Sequence, residues 1–189
     1  MLRIILAGTL ALAPVPMAAQ IRAQIPANLT LDWDKGIQPI GQDNYYKAIE
    51  CGKQGGDNPV CLFYDAGLCK NDDFVLALHT PYKYVAYEVW NAVRQKQPAP
   101  QPNYATAGRT RVTLGISPAA GSQNRITAVS IKRGGRTFQP TSRSIDGGRG
   151  SFTFDFAPWA PTSDITIEMA GTTGTKTCLV PRTLLARFR

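Results

Sequence analysis

Hydrophobic and polar positions follow two rhythms along this chain, and the change falls near residue 98. Beyond it, apolar residues recur at every second position. Val112, Leu114 and Ile116 share one face of an extended chain, as do Val129 with Ile131, Phe152 with Phe154 and Phe156, Ile165 with Ile167 and Met169, and Cys178 with Val180. Side chains alternate across a strand, so each run predicts a half-buried β-strand. Gly-Gly pairs in KRGGR, residues 132–136, and IDGGRGS, residues 145–151, supply returns between neighbouring strands. At least five strands with turn signals about every ten residues predict a small antiparallel β-sandwich of immunoglobulin-like shape, with an open β-barrel as the alternative.

Before residue 98 the rhythm is helical. In TPYKYVAYEVWNAVRQK, residues 80–96, Tyr82, Val85, Ala86, Val89, Trp90 and Val93 form one apolar stripe at offsets 0, 3, 4, 7, 8 and 11. Thr80 suits the N-cap and Pro81 the first helical position, where no N–H donor is needed. DNYYKAIECGK, residues 43–53, predicts a shorter helix with Asp43 or Asn44 as N-cap and its end at Gly52. Asn71 or Asp72 is a candidate cap for a brief helix through FVLAL. Residues 24–42, which include LTLDWDKG and PIG, read as irregular with one short strand at most. QKQPAPQPNY, residues 95–104, has proline at every second position and predicts an extended boundary segment.

The first residues, MLRIILAGTLALAPVPMAAQ, join a basic start to an apolar run too short for a membrane-spanning helix, then small residues and prolines. This is the pattern of a secretory signal, cut after Ala19 or Ala23. The expected organisation is therefore a signal at 1–23, a helical cysteine-containing lobe at 24–97, a proline-rich linker at 98–108 and a β-sandwich at 109–189. The fold class is α+β.

Four cysteines, Cys51, Cys61, Cys69 and Cys178, agree with an oxidising compartment and allow three pairings. Cys51 with Cys61 and Cys69 with Cys178 is favoured, because GKQGGDNP suits a tight return and the second bond ties the two halves together. The cysteine spacings match neither a zinc site nor a CxxC redox centre. No metal or cofactor is expected.

The formal charge of +8 makes the chain attractive to anions. Lys132, Arg133 and Arg136 cluster on one turn, and Arg143 and Arg149 flank the next; both turns at one end would form a cationic rim for phosphate or carboxylate. Aromatic residues do not interleave with these charges, so nucleic acid is disfavoured. Trp159, between Pro158 and Pro161, either closes the sandwich core or presents a rigid indole to a sugar or protein, and it is a binding candidate on the second reading. Tyr84, Tyr87, Glu88 and Asn91 form a second stripe on the long helix, offset from the apolar one. His79 is the single histidine and stands in no nucleophile motif. Asp32 and Asp34 begin a calcium-loop pattern that lacks its later ligands.

The candidate contact residues are Trp159, Tyr84, Tyr87, Lys132, Arg133 and Arg136. The function expected from them is a secreted or periplasmic non-catalytic binding module that meets a protein or an anionic glycan of the envelope. A structural subunit of a surface assembly is the alternative, and a hydrolase without a recognisable motif comes third.

Overall fold

The computed structural model describes residues 36–65, 68–69, 71–100 and 103–189, so the expected signal and the LDWDKG segment with Asp32 and Asp34 lie outside the described residues. The elements run α1 (Gln42–Lys53), β1 (Phe74–His79), α2 (Pro81–Arg94), α3 (Tyr104–Arg109), β2 (Val112–Pro118), β3 (Ile126–Arg133), β4 (Arg136–Phe138), β5 (Ser142–Asp146), β6 (Arg149–Phe154), β7 (Ile165–Gly171), β8 (Gly174–Val180) and α4 (Arg182–Leu185). All belong to one compact unit, Trp33–Arg189.

The strands form two four-stranded antiparallel sheets, ordered β1-β2-β6-β5 and β4-β3-β7-β8. The alternating residues read from the sequence point inward and make one core. Leu76, Leu78, Val112, Leu114, Ile116, Phe152 and Phe154 come from the first sheet, and Ile126, Val129, Ile131, Ile165, Ile167 and Met169 from the second. Both Gly-Gly turns have positive φ at each glycine, at Gly134, Gly135, Gly147 and Gly148, as tight two-residue hairpins require.

β1 corrects the helix expected through FVLAL. Asn71 does accept from two backbone N–H groups, those of Asp73 and Phe74, but this bond closes a turn rather than capping a helix. Phe74, Leu76 and Leu78 then alternate into the sandwich core while the strand pairs with β2 from Phe74↔Pro118 to His79↔Thr113. A short apolar run cannot be assigned by periodicity alone, and here an available strand edge decided the matter.

The stretch read as a linker also holds structure. Asn103 accepts from Thr106 N at 3.2 Å and starts α3, whose Ala107 is fully buried against α1 and α2. α1 begins earlier than expected, with Gly41 rather than Asp43 or Asn44 at the N-cap and no side-chain cap bond. Gly52, expected to end α1, lies inside it at the crossing with α2. A Cβ there would meet Ala86 O, Val89 Cβ and Trp90 N, so glycine is what lets the two backbones approach.

The helices have a second core of their own, built from Tyr45, Ala48, Ile49, Leu62, Tyr82, Val85, Ala86, Val89 and Trp90. Cys51 is bonded to Cys61 within it. Cys69 is bonded to Cys178, so the pairing is the one favoured from the sequence.

That second bond lies along the flank where β1 faces β8. Lys176 Nζ lies 3.3 Å from Asp73 Oδ2 on the same flank. The buried Asn124 amide donates to Asp73 Oδ2 and Gly174 O and accepts from Thr173 N. The Asn124 hydrogen bond, ahead of the Lys176 contacts, holds the Asp73 carboxyl below the usual carboxylate range against an opposing desolvation effect. A depressed carboxyl pKa stabilises the fold above the unfolded value near 3.8, and the benefit disappears as pH falls through the folded value. Asp73→Asn is therefore expected to lower the thermal midpoint at pH 7 and to change it much less at pH 3; equal shifts at both would contradict this assignment.

Candidate functional site: a tyrosine face on the helical layer

α2 carries the residues that locate the site. Thr80 Oγ1 accepts from Lys83 N at 3.1 Å and Pro81 opens the first turn, as expected. The stripe from Tyr82 to Trp90 is buried against α1. This leaves Tyr84, Tyr87, Glu88 and Asn91 exposed on the opposite stripe.

α1 and α3 add tyrosines that the sequence reading passed over. Tyr46 and Tyr104 are both about half exposed and share one buried neighbour, Tyr45, which meets each ring edge-on at centroid distances of 5.5 and 5.2 Å. The Tyr45 hydroxyl is pushed above its ordinary pKa by burial, then by Tyr46 and by Glu88. Tyr46 and Tyr104 thus flank Tyr45, and Tyr84 and Tyr87 are exposed on α2. The signal for Tyr46 was present, since residues 45 and 46 on a helix must point to different sides, but the partnership with α3 required the fold.

The face is rigid beneath its hydroxyls. Tyr87 lies 5.3 Å from Trp90, whose Nε1 donates to Gly56 O at 2.8 Å and whose ring meets Phe63 at 5.2 Å. The Arg94 guanidinium stands 4.8 Å from the same indole. The Cys51–Cys61 bond fixes α1 to the loop that carries Phe63.

Trp159 is not on any binding surface, which corrects its place among the candidate contacts. It ends a short 3₁₀ turn, Ala157–Trp159, is fully buried, and packs edge-on against Phe154 with centroids 6.2 Å apart. The prolines thus hold the indole inward. Its Nε1 is buried without a hydrogen-bond partner among the described residues, which partly offsets the gain from its area. Trp159→Ala is expected to cost about 3 to 5 kcal/mol in denaturant unfolding, and Trp159→Phe clearly less, because phenylalanine leaves no orphan donor. A Phe variant as unstable as the Ala variant would mean that Nε1 has found a partner.

The basic turns do not form one rim. The turn at Gly134 and Gly135 lies at the end of the sandwich where Arg133 donates to Ala160 O at 3.3 Å. The turn at Gly147 and Gly148 lies at the other end, where Ile126 N donates to Gly148 O and the Arg125 side chain passes over Gly148. These are opposite ends of β3. Lys132 is paired with Glu168 at 2.7 Å and the Arg133 guanidinium stands 5.5 Å from the Phe138 ring, so both also serve the fold. Arg136 is exposed.

Sequence reasoning also missed a buried polar junction. Lys83 Nζ donates to Asp65 Oδ1 at 2.5 Å, and Leu78 N donates to Asp65 Oδ2 at 2.8 Å, with both charged side chains about 95% buried. Tyr64 OH hydrogen-bonds Thr80 Oγ1 at 3.0 Å and donates to Arg189 O at 2.6 Å, and burial raises its pKa well above the usual value. His79 stands beside this group. Desolvation first, then the Lys83 charge, lowers its pKa, while Asp65 opposes them. No group of three metal-ligating side chains occurs among the described residues.

Among the described residues no helix is long and apolar enough to cross a membrane. Comparison of the chain with protein-family models, with curated proteins and with solved structures gives no match.

Proposed function

We propose that the protein is an exported, non-catalytic interaction module that binds a protein partner through the tyrosine face of α1, α2 and α3. One observation carries this reading: Tyr46, Tyr84, Tyr87 and Tyr104 stay between 41% and 56% exposed on a scaffold braced by a disulfide and two packed aromatic layers. Tyrosine supplies apolar area and a hydroxyl at small entropic cost, which is why aromatic anchors on fixed backbones dominate protein contacts. Residues 36–109 hold seven basic and seven acidic residues, so the face has no excess of cations to hold an anionic glycan. The glycan reading drew on the net charge, on a single cationic rim and on an outward Trp159, and the separation of the two turns and the burial of Trp159 weaken it.

Two disulfides support export from a reducing cytosol. The sheet orders support the immunoglobulin-like shape, since β1-β2-β6-β5 and β4-β3-β7-β8 follow the A-B-E-D and C′-C-F-G orders of that sandwich. Shape says nothing of the partner.

The test compares retention of purified envelope proteins by the immobilised protein and its variants. Tyr46→Ala with Tyr87→Ala is expected to weaken retention on the order of tenfold or more, while Arg136→Ala leaves it unchanged. Equal retention by the tyrosine variant would discard this surface.

A further inference from the structure

The sandwich is closed on one flank and open on the other. Cys69–Cys178, Lys176–Asp73 and the Asn124 amide all join the β1 side to the β8 side. On the opposite flank β5 pairs, among the described residues, only with β6, and every one of its residues, Ser142 to Asp146, is exposed. Arg143 and Ile145 stand opposite Phe152 and Gly150, which point into the core, so their side chains face the second sheet. They remain exposed because the strand that should cover them, β4, has only three residues.

The backbone of β5 is equally available. The two-residue turn makes Asp146↔Arg149 the hydrogen-bonded pair that closes the hairpin, and such pairs alternate along an antiparallel ladder. Arg143 and Ile145 therefore turn their N–H and C=O groups away from β6, toward the open edge. An extended segment has a ladder of donors and acceptors to meet there, and the exposed Ile145 side chain offers apolar contact beside it.

Charge selects the occupant. Residues 110–189 contain eleven Arg and Lys against four Asp and Glu, and Arg143 and Arg136 lie on the two strands that border this flank. Two copies of such a surface repel each other, whereas carboxylates are drawn to it. We propose that β5 accepts an acidic, extended segment of another protein as an added antiparallel strand, through a surface separate from the tyrosine face.

The probe is a fluorescent seven-residue peptide alternating valine and glutamate, with a valine and lysine peptide as counterpart, followed by anisotropy. The glutamate peptide is expected to bind at least tenfold more tightly. Ile145→Pro removes an outward N–H while keeping the bonds to β6, and should abolish binding with an unchanged near-ultraviolet spectrum. Should that variant misfold, Arg143→Glu should invert the preference between the two peptides. Tyr46→Ala with Tyr87→Ala should change nothing here, which separates this surface from the tyrosine face. The proposal is overturned if both peptides bind equally, if neither binds, if Ile145→Pro retains full affinity, or if the protein instead dimerises through β5 and excludes the peptide.

Discussion

Replacing Asp65 with alanine is expected to lower stability by about 3 to 5 kcal/mol, enough to drop the thermal midpoint on the order of 10 °C in a protein of this size. The cause is what remains behind. Asp65 satisfies Lys83 with one oxygen and the Leu78 amide with the other, so alanine leaves a buried ammonium between the rings of Phe63 and Tyr64 with no anion, and orphans a backbone donor. Asp65→Asn should do nearly as badly, because its NH₂ must face one of two donors. Removing both charges in Asp65→Leu with Lys83→Met should restore the part due to the unpaired ammonium while the Leu78 N–H stays orphaned, since a buried pair contributes little beyond its apolar replacement. A second readout is independent of unfolding. Asp65 now opposes the effect of Lys83 on His79, so the imidazole pKa, followed by NMR in Asp65→Leu, should fall further below its usual range. A single variant that loses less than about 1 kcal/mol would show that water reaches the pair.

This junction marks the limit of what could be read along the chain. Alternation found the interior of both sheets, because Val112, Leu114 and Ile116 or Ile165, Ile167 and Met169 each obey a local rule that the core then uses. The stripe on α2 is local in the same sense. Asp65 and Lys83 obey no such rule: they lie 18 residues apart, one in a turn and one on a helix, and only the packing of that helix beside β1 brings them together. β1 was missed for a related reason, since five apolar or small residues become a strand only where β2 offers an edge.

The site divides in the same way. Tyr84 and Tyr87 were visible as a stripe, yet Tyr46 and Tyr104 are brought together only through Tyr45. Trp159 was open to both an inward and an outward reading, because whether an indole turns inward depends on the space left by Phe154 and on nothing adjacent to it in sequence. For the arginines, whether two turns share an end depends on the direction of each strand, which neither Gly-Gly pair encodes.

Loss of the Cys69–Cys178 bond is expected to be the larger of the two disulfide effects. It closes a loop over a sequence separation of 109, against 10 for Cys51–Cys61, and loop-closure entropy then gives about 5 and about 3 kcal/mol. The effect acts mainly on the unfolded chain. Cys69→Ser with Cys178→Ser should therefore lower the midpoint in urea and also raise the slope of the transition, because the freed chain exposes more surface when it unfolds. Cys51→Ser with Cys61→Ser should shift the midpoint less and the slope little. Cys69 supplies a further control, since its φ of 53° lies in the left-handed region where a side chain is strained. Cys69→Gly with Cys178→Ser should recover about 1 kcal/mol relative to the serine pair, as glycine adopts that conformation freely. A larger loss from the short loop than from the long one would mean that the closed flank of the sandwich is held by Asp73, Lys176 and Asn124 rather than by sulfur.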